Sequence, residues 1–189
     1  MGGRLDVMNQ SVLTQSILDR SMGIVQLDDA TYESIEHDTS ATTQAAIVVA
    51  IVGLAGGIGA LDDSAWGLIA SPIGALIGWA VASFFIYFVG TRLIPAQQTE
   101  ADLGQVLRLY GYASVPGIAN VLGFIPVVGW LVALIAGIWG IVCAVKAIKH
   151  ALEMSTGRAI VTGILAAIVA GLVLAIIGGI FGVGLWALG

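Results

Sequence analysis

Few side chains in this sequence are of types that carry out chemistry, and they are scattered. The run Glu36-His37-Asp38 combines an imidazole with two carboxylates, which are suitable metal ligands. Adjacent residues rarely converge on one ion, so we interpret this run as a solvated acidic surface. The single cysteine, Cys143, has no base near it in sequence, which is typical of a thiol that packs as a small apolar side chain. We therefore expect no catalytic residue, no cofactor and no metal site.

The composition explains why reactive side chains are scarce. Hydrophobic residues make up 58% of the 189, charged residues 10%, and the mean hydropathy is +1.00. Soluble domains are about half apolar and about a quarter charged, so this chain lacks the polar surface for a water-exposed globule. The balance of 7 basic against 12 acidic residues also excludes a nucleic-acid-binding surface. The sequence therefore predicts an integral membrane protein.

The first 44 residues differ in charge from the rest of the chain. They hold seven acidic and two basic residues, a net charge of −5 that equals the net charge of the whole chain. The start lacks the basic stretch, apolar core and cleavage site of a signal peptide. We therefore expect residues 1–44 to form an acidic cytoplasmic arm and residues 45–189 to form the membrane domain.

Uncharged apolar runs mark the transmembrane helices, because roughly 20 such residues are needed to cross about 30 Å of hydrocarbon. Residues 65–89 and 159–182 meet this requirement. The run over 45–61 is shorter and rich in glycine, but it holds no charge and ends at the polar pair Asp62 and Asp63. These three runs are predicted to be the first, second and last spans.

The long uncharged run over 109–145 is harder to assign. At about 1.5 Å per residue it is too long for one crossing. The phrase Gly123-Phe-Ile-Pro126 offers a turn, since proline removes a backbone donor and glycine tolerates tight geometry. We therefore expect spans of about 107–124 and 127–146, which gives an all-α polytopic fold with five transmembrane helices.

The basic residues favour this count, because those in short loops lie on the cytoplasmic side. With five spans and the amino terminus inside, all seven basic residues lie on that side. Four spans would move Lys146, Lys149 and Arg158 outside. These three could also contact lipid phosphate, although three charges fall short of a polybasic cluster. We expect a cytoplasmic (inner) membrane protein with its amino terminus in the cytoplasm and its carboxyl terminus outside.

An amphipathic helix is predicted between the second and third spans. The run Thr99-Glu-Ala-Asp102 is typical of a capping box. Apolar residues follow at helical spacing, namely Leu103, Val106, Leu107 and Tyr110. We expect this helix to lie on the inner membrane surface and to enter the third span.

Three phrases carry a resemblance to a known family. They are Asp102-Leu-Gly-Gln-Val-Leu-Arg-Leu-Tyr110-Gly-Tyr-Ala-Ser-Val-Pro116-Gly, Gly123-Phe-Ile-Pro126 and Leu152-Glu-Met-Ser-Thr-Gly157-Arg-Ala. Over roughly residues 30–182 the chain resembles the Yip family of small five-span membrane proteins, and the bacterial members more than the eukaryotic ones. The eukaryotic members imply binding of Rab-type small GTPases and a role in early secretory traffic. Their aspartate-leucine-tyrosine-glycine-proline phrase has no copy here, because Asp102-Leu-Gly lacks the tyrosine and the proline, so we do not carry GTPase binding over.

Small and polar residues within the spans are candidates for interaction. The interiors of the five spans hold no Asp, Glu, His or Lys, the groups that ion-driven transport normally needs. Asn120, close to Pro116, either hydrogen bonds between helices or lines a small polar path. Gly163, Ala167 and Gly171 recur at four-residue spacing, which permits close helix contact within the bundle, in a homo-oligomer or with a partner.

These observations indicate a non-catalytic integral membrane scaffold, adaptor or accessory subunit that contacts membrane lipid and either partner proteins or a second copy. The alternative is a small permease or channel for a neutral solute through the break near Pro116 to Asn120. An adaptor requires a stoichiometric partner, whereas a permease requires a continuous polar route. The interaction candidates are Asp102, Leu103, Arg108, Tyr110, Gly111, Tyr112, Pro116, Asn120, Gly163, Ala167 and Gly171.

Overall fold

The protein is built from helices, with no strand among the residues that the structure describes. The structure, a computed structural model, describes residues 16–60, 66–95 and 101–188, with the backbone alone for 180–188. The helices in order are α1 (16–25), α2 (Asp29–His37), α3 (Ala41–Gly59), α4 (Gly67–Phe88), a π-helical turn (Val89–Leu93), α5 (Leu103–Tyr112), a 3-10 helix (Val115–Phe124), α6 (Val128–Ala151) and α7 (Thr156–Leu188). The all-α class is confirmed.

Four of the described helices are long and apolar enough to cross a membrane. They cover Ala41–Gly59, Gly67–Leu93, Val128–Ala151 and Thr156–Gly179. They coincide with the first, second, fourth and fifth predicted spans, so the polytopic prediction is confirmed. In place of one helix over 107–124 the structure has two shorter ones, α5 and the 3-10 helix.

The α5 and 3-10 segments together run parallel to α3. A Cβ added to Gly111 would lie 2.8 Å from the Cβ of Ala45, and one added to Gly123 would lie 2.8 Å from the carbonyl oxygen of Gly59. A 3-10 helix rises about 2.0 Å per residue, so its ten residues extend about 20 Å, close to the roughly 21 Å of α3 between Ala45 and Gly59. The more extended helix type lets a short segment follow α3 to its far end.

The other helices alternate in direction around this pair. Gly53 of α3 packs against Pro72 and Ala75 of α4, and Gly163 of α7 lies beside Ile148 of α6. One end of the bundle, which we call the charged end, holds every basic residue that the structure describes. These residues are Arg20, Arg92, Arg108, Lys146, Lys149 and Arg158.

The described part of the acidic arm is folded against the charged end. Helices α1 and α2 form a hairpin in which Gly23 touches the side chain of Thr31. The Asp28 carboxylate caps α2 by accepting a hydrogen bond of 3.0 Å from the Thr31 backbone. Tyr32 and Ile35 of α2 are completely buried. We call residues 16–37 the docked arm, because they belong to the folded bundle.

Candidate interaction site

The amphipathic helix α5 begins at a capping box whose first residue is Asp102, three residues after the Thr99 that the sequence indicated. The Asp102 carboxylate accepts a hydrogen bond of 2.5 Å from the Gly104 backbone, and the Gln105 side chain accepts one of 2.7 Å from the Asp102 backbone. Thr99, which the sequence placed at the cap, lies outside the described residues. The cap fixes the rotation of α5, so that Val106 is buried and Leu103 is half-buried.

Arg108 joins α5 to the end of α2. Its side chain is 5% exposed, and its Nη2 donates a hydrogen bond of 2.7 Å to the backbone carbonyl of Glu36. The Glu36 carboxylate accepts a longer bond of 3.4 Å from Gln105. Burial, chiefly, raises the pKa of Glu36, and the nearby carboxylates of Glu153 and Glu33 add to that rise against opposing effects of His37 and Arg108. The charged end therefore concentrates negative charge around Glu36.

A second polar network links the docked arm to α3 and α5. The Tyr112 hydroxyl donates a hydrogen bond of 2.6 Å to the Gln44 side-chain oxygen, and Arg20 donates one of 2.9 Å to the same atom. The other end of the Arg20 guanidinium pairs with Asp38 at 2.6 Å. Bonds to Ser40 and then to Arg20 lower the pKa of Asp38. Sequence reasoning identified Tyr112 but missed Gln44 and Arg20, although a glutamine at the start of an apolar span is a detectable signal.

One face of α6 holds the turn between α1 and α2. The Trp139 indole donates a hydrogen bond of 2.9 Å to the carbonyl of Val25, and the Cys143 thiol donates one of 3.7 Å to that of Ile24. Lys146 donates a hydrogen bond to the backbone carbonyl of Leu27. These three donors recur at spacings of four and three residues, so they lie on one side of α6. Cys143 is buried, as the sequence predicted.

Two charged contacts reinforce this face. The Asp29 carboxylate lies 2.9 Å from Lys146 and 3.0 Å from the imidazole of His150. Its hydrogen bond with Lys146, followed by that with His150, lowers the pKa of Asp29. Asp29 is exposed, so this ion pair is screened by water and contributes modestly to stability.

Tyr32 lies at the centre of the contact between the docked arm and α6. Its ring stacks on that of His150 with centroids 5.3 Å apart, and the Lys146 ammonium lies 5.3 Å from the ring centroid. Its hydroxyl donates a hydrogen bond of 3.3 Å to the carbonyl of Cys143. The aromatic ring therefore combines apolar burial with polar contacts at a single residue.

Gly111 marks the closest approach of α5 to its neighbours. A Cβ at this position would lie 2.8 Å from that of Ala45 and 3.0 Å from the Trp79 indole nitrogen. The same indole donates a hydrogen bond of 3.0 Å to the carbonyl of Leu107. A larger residue at 111 would separate α5 from both α3 and α4.

The small residues of α7 do not all face the bundle. A Cβ on Gly163 would lie 3.1 Å from the Ile148 side chain, whereas Ala167 and Gly171 are exposed. The buried face of α7 is formed by other residues, namely Ala159, Thr162, Ala166 and Ala170. Most of the ladder that the sequence identified is therefore available to lipid or to another chain.

Asn120 and Tyr110 line spaces between the helices. A cavity of about 400 Å³, which we call the central cavity, lies among α3, α4, the 3-10 helix and α6, and both side chains line it. Pro116 is the second residue of the 3-10 helix and is half-buried outside this lining. A second space of about 680 Å³, which we call the α6–α7 groove, shares Tyr110 and is lined also by Gly163 and Ala167. The break in the third segment thus borders a hollow.

The carboxylates at the charged end form an outward-facing surface. Glu33 and Glu153 are exposed there, both near Glu36, and we call them the acidic surface. Within the described ranges, no group of three or more His, Cys, Asp or Glu side chains lies close enough to hold a metal ion. The charged end presents exposed charged side chains to another molecule.

The fold and this charged end define a multi-pass α-helical membrane protein with a folded arm at one end of its bundle. A family model described as the Yip1 domain matches residues 22–178. The chain therefore belongs to the Yip family of integral membrane proteins, as its sequence resemblance indicated. No curated protein and no solved structure matches the chain.

Proposed function

We propose that this protein is a non-catalytic membrane scaffold or accessory subunit whose docked arm presents the acidic surface to a partner protein. The observation that carries the proposal is the attachment of the arm. Its turn is held by three donors on one face of α6, and its α2 helix is held by Arg108. A surface fixed in this way is preorganised, so a partner does not have to order it on binding.

The charge of this surface indicates the chemistry of the partner. Glu33 and Glu153 are exposed, and both act on the buried carboxyl of Glu36, so three carboxylates lie near one another. Complementary charge favours association with a basic protein surface and speeds it at low ionic strength. Because basic residues favour the cytoplasmic side, we propose that the charged end faces the cytoplasm of the inner membrane and that the partner lies there.

Extraction from the native membrane in a mild detergent tests the proposal. The mass and composition of the extracted species should include a partner chain in a fixed ratio. The double variant Glu33→Gln and Glu153→Gln should lose most of that partner, because it removes two exposed negative charges. Asp19→Asn removes one exposed negative charge on α1, away from the acidic surface, and should retain it.

Two other results would contradict the proposal. A species that contains only this chain and lipid would remove its main support, and flux of a neutral solute into liposomes would then test the alternative permease. A homodimer that Gly171→Leu dissociates would instead assign the exposed part of α7 to self-association.

A further inference from the structure

Three glycines that are not in close contact with a neighbouring helix line the central cavity. Gly78, Gly137 and Gly140 line it, and a Cβ added to any of them would meet no atom within 4 Å. Glycine weakens a helix relative to alanine, so glycines that are not required for close helix contact lower the stability of α4 and α6. By contrast, Gly53 and Gly111 lie where a Cβ would collide with a neighbouring helix. The first group creates space, and the second permits contact.

The polar side chains in this hollow are uncharged, and Trp79 and Ser114 among them bond to the backbone carbonyls of Leu107 and Gly111. Across the described residues, neither the Asn120 amide nor the Tyr110 hydroxyl makes a hydrogen bond within the protein, and both line the central cavity. Of the side chains that the structure describes, no Asp, Glu, His, Lys or Arg lines the central cavity or the α6–α7 groove. An occupant therefore has an uncharged head with hydroxyl or carbonyl groups that can bond to Asn120 and Tyr110.

The two spaces adjoin each other along one set of residues. Ala82, Tyr110, Ile141 and Ala144 line both. The described lining of the α6–α7 groove is apolar apart from Tyr110. Val142 and Ile164 on its walls are exposed at the surface of the bundle. Volumes of about 400 and 680 Å³ fall within the roughly 300–1,000 Å³ range of ligand sites. The shape suits a molecule with a small polar head and one hydrocarbon chain.

We propose that the central cavity and the α6–α7 groove together bind one uncharged single-chain lipid, its head at Asn120 and Tyr110 and its chain between α6 and α7. The head enters from the membrane through the groove and lies between the helices at Asn120 and Tyr110. This site is separate from the acidic surface and does not depend on the proposed scaffold role.

Photolabelling in vesicles of phosphatidylethanolamine tests the site. The probe is a monoacylglycerol that carries a diazirine close to its glycerol head, and the charged comparison is its phosphate ester with the same chain and diazirine. We expect adducts of the uncharged probe within residues 110–120 and 136–144, competed by unlabelled monoacylglycerol. The phosphate ester should label these residues at least tenfold less, because the cavity offers no cation to its charge.

Two glycines of α4 provide a matched pair of variants. Gly78→Leu fills the central cavity and should reduce labelling at least tenfold. Gly74→Leu adds the same side chain one turn away. A Cβ at Gly74 also meets no atom within 4 Å, but Gly74 lines neither space, so this variant should leave labelling unchanged. Tyr110→Phe removes one hydroxyl without altering the fold and should lower labelling by about two- to tenfold, the range for one hydrogen bond.

Three results would overturn this proposal. Adducts confined to the exposed faces of α6 and α7 would show that the head does not enter the bundle. Equal labelling of Gly78→Leu and Gly74→Leu would exclude the central cavity as the site. Equal labelling by the phosphate ester would contradict an uncharged head.

Discussion

Replacing Tyr32 by alanine should release the docked arm from α6. The ring is completely buried, and removing a buried aromatic ring typically costs about 3–5 kcal/mol. The lost hydrogen bond to the Cys143 carbonyl adds about 1 kcal/mol, and the contact with the Lys146 ammonium adds about 0.5–1 kcal/mol. A loss of at least 3 kcal/mol shifts the docking equilibrium more than a hundredfold.

Hydrogen–deuterium exchange in detergent micelles measures this release directly. Backbone amides of residues 24–37 should exchange at least a hundredfold faster in Tyr32→Ala than in the wild type, while those of α3 and α6 stay protected. Tyr32→Phe keeps the ring, so it should accelerate exchange only about two- to tenfold. Glu33→Ala changes an exposed neighbour on the same helix and should have no effect. Unchanged exchange in Tyr32→Ala would refute the role given to this ring.

Three further predictions concern packing, pH and topology. Gly111→Ala should lower thermal stability in detergent by about 1–3 kcal/mol through collision with α3, whereas Gly74→Ala, which meets no neighbour, should be neutral or raise it by up to about 1 kcal/mol. The pKa of Asp29 is lowered, so its carboxylate stabilises docking fully above its ordinary pKa of 3.8 and loses that effect as the pH falls through the lowered value. Hydrogen–deuterium exchange of the docked arm should therefore be faster in Asp29→Asn than in the wild type at neutral pH. This difference should shrink in acid. Phe124→Cys in a Cys143→Ala background should react with an impermeant thiol reagent from outside, since five crossings place that exposed end of the 3-10 helix there; inaccessibility would contradict five spans.

The four long helices could be predicted because hydrocarbon imposes a simple rule on sequence. Uncharged runs of sufficient length have to be helical, and the run over 159–182 leaves no other choice. The division of the third segment into an α-helix and a 3-10 helix could not be predicted from the sequence. Its change from α5 to a 3-10 helix depends on contact with α3 along its length, where Gly59 and Gly123 meet, and no property of 107–124 alone specifies that contact.

The burial of apolar residues in the docked arm could not be predicted from its pattern of charges. Acidic residues and a net charge of −5 indicated an arm in water, yet Ile24, Tyr32 and Ile35 are completely buried. Ile24 and Tyr32 are held by hydrogen bonds with Cys143 on α6, more than a hundred residues away, and Trp139 on the same helix holds the adjacent Val25. Side chains of mixed character such as tyrosine and tryptophan are compatible with either environment, so only the folded partner decides their burial.

Site-specific crosslinking in native membranes tests the proposed scaffold role most directly. A photoreactive amino acid placed at Glu33 lies on the acidic surface, and the same residue placed at Ile168 faces outward from α7 with 62% exposure. The account predicts one protein adduct of discrete mass from position 33, lost when Glu153→Gln is added, and mainly lipid adducts from position 168. Absence of a protein adduct at 33, or a protein adduct confined to 168, would contradict it.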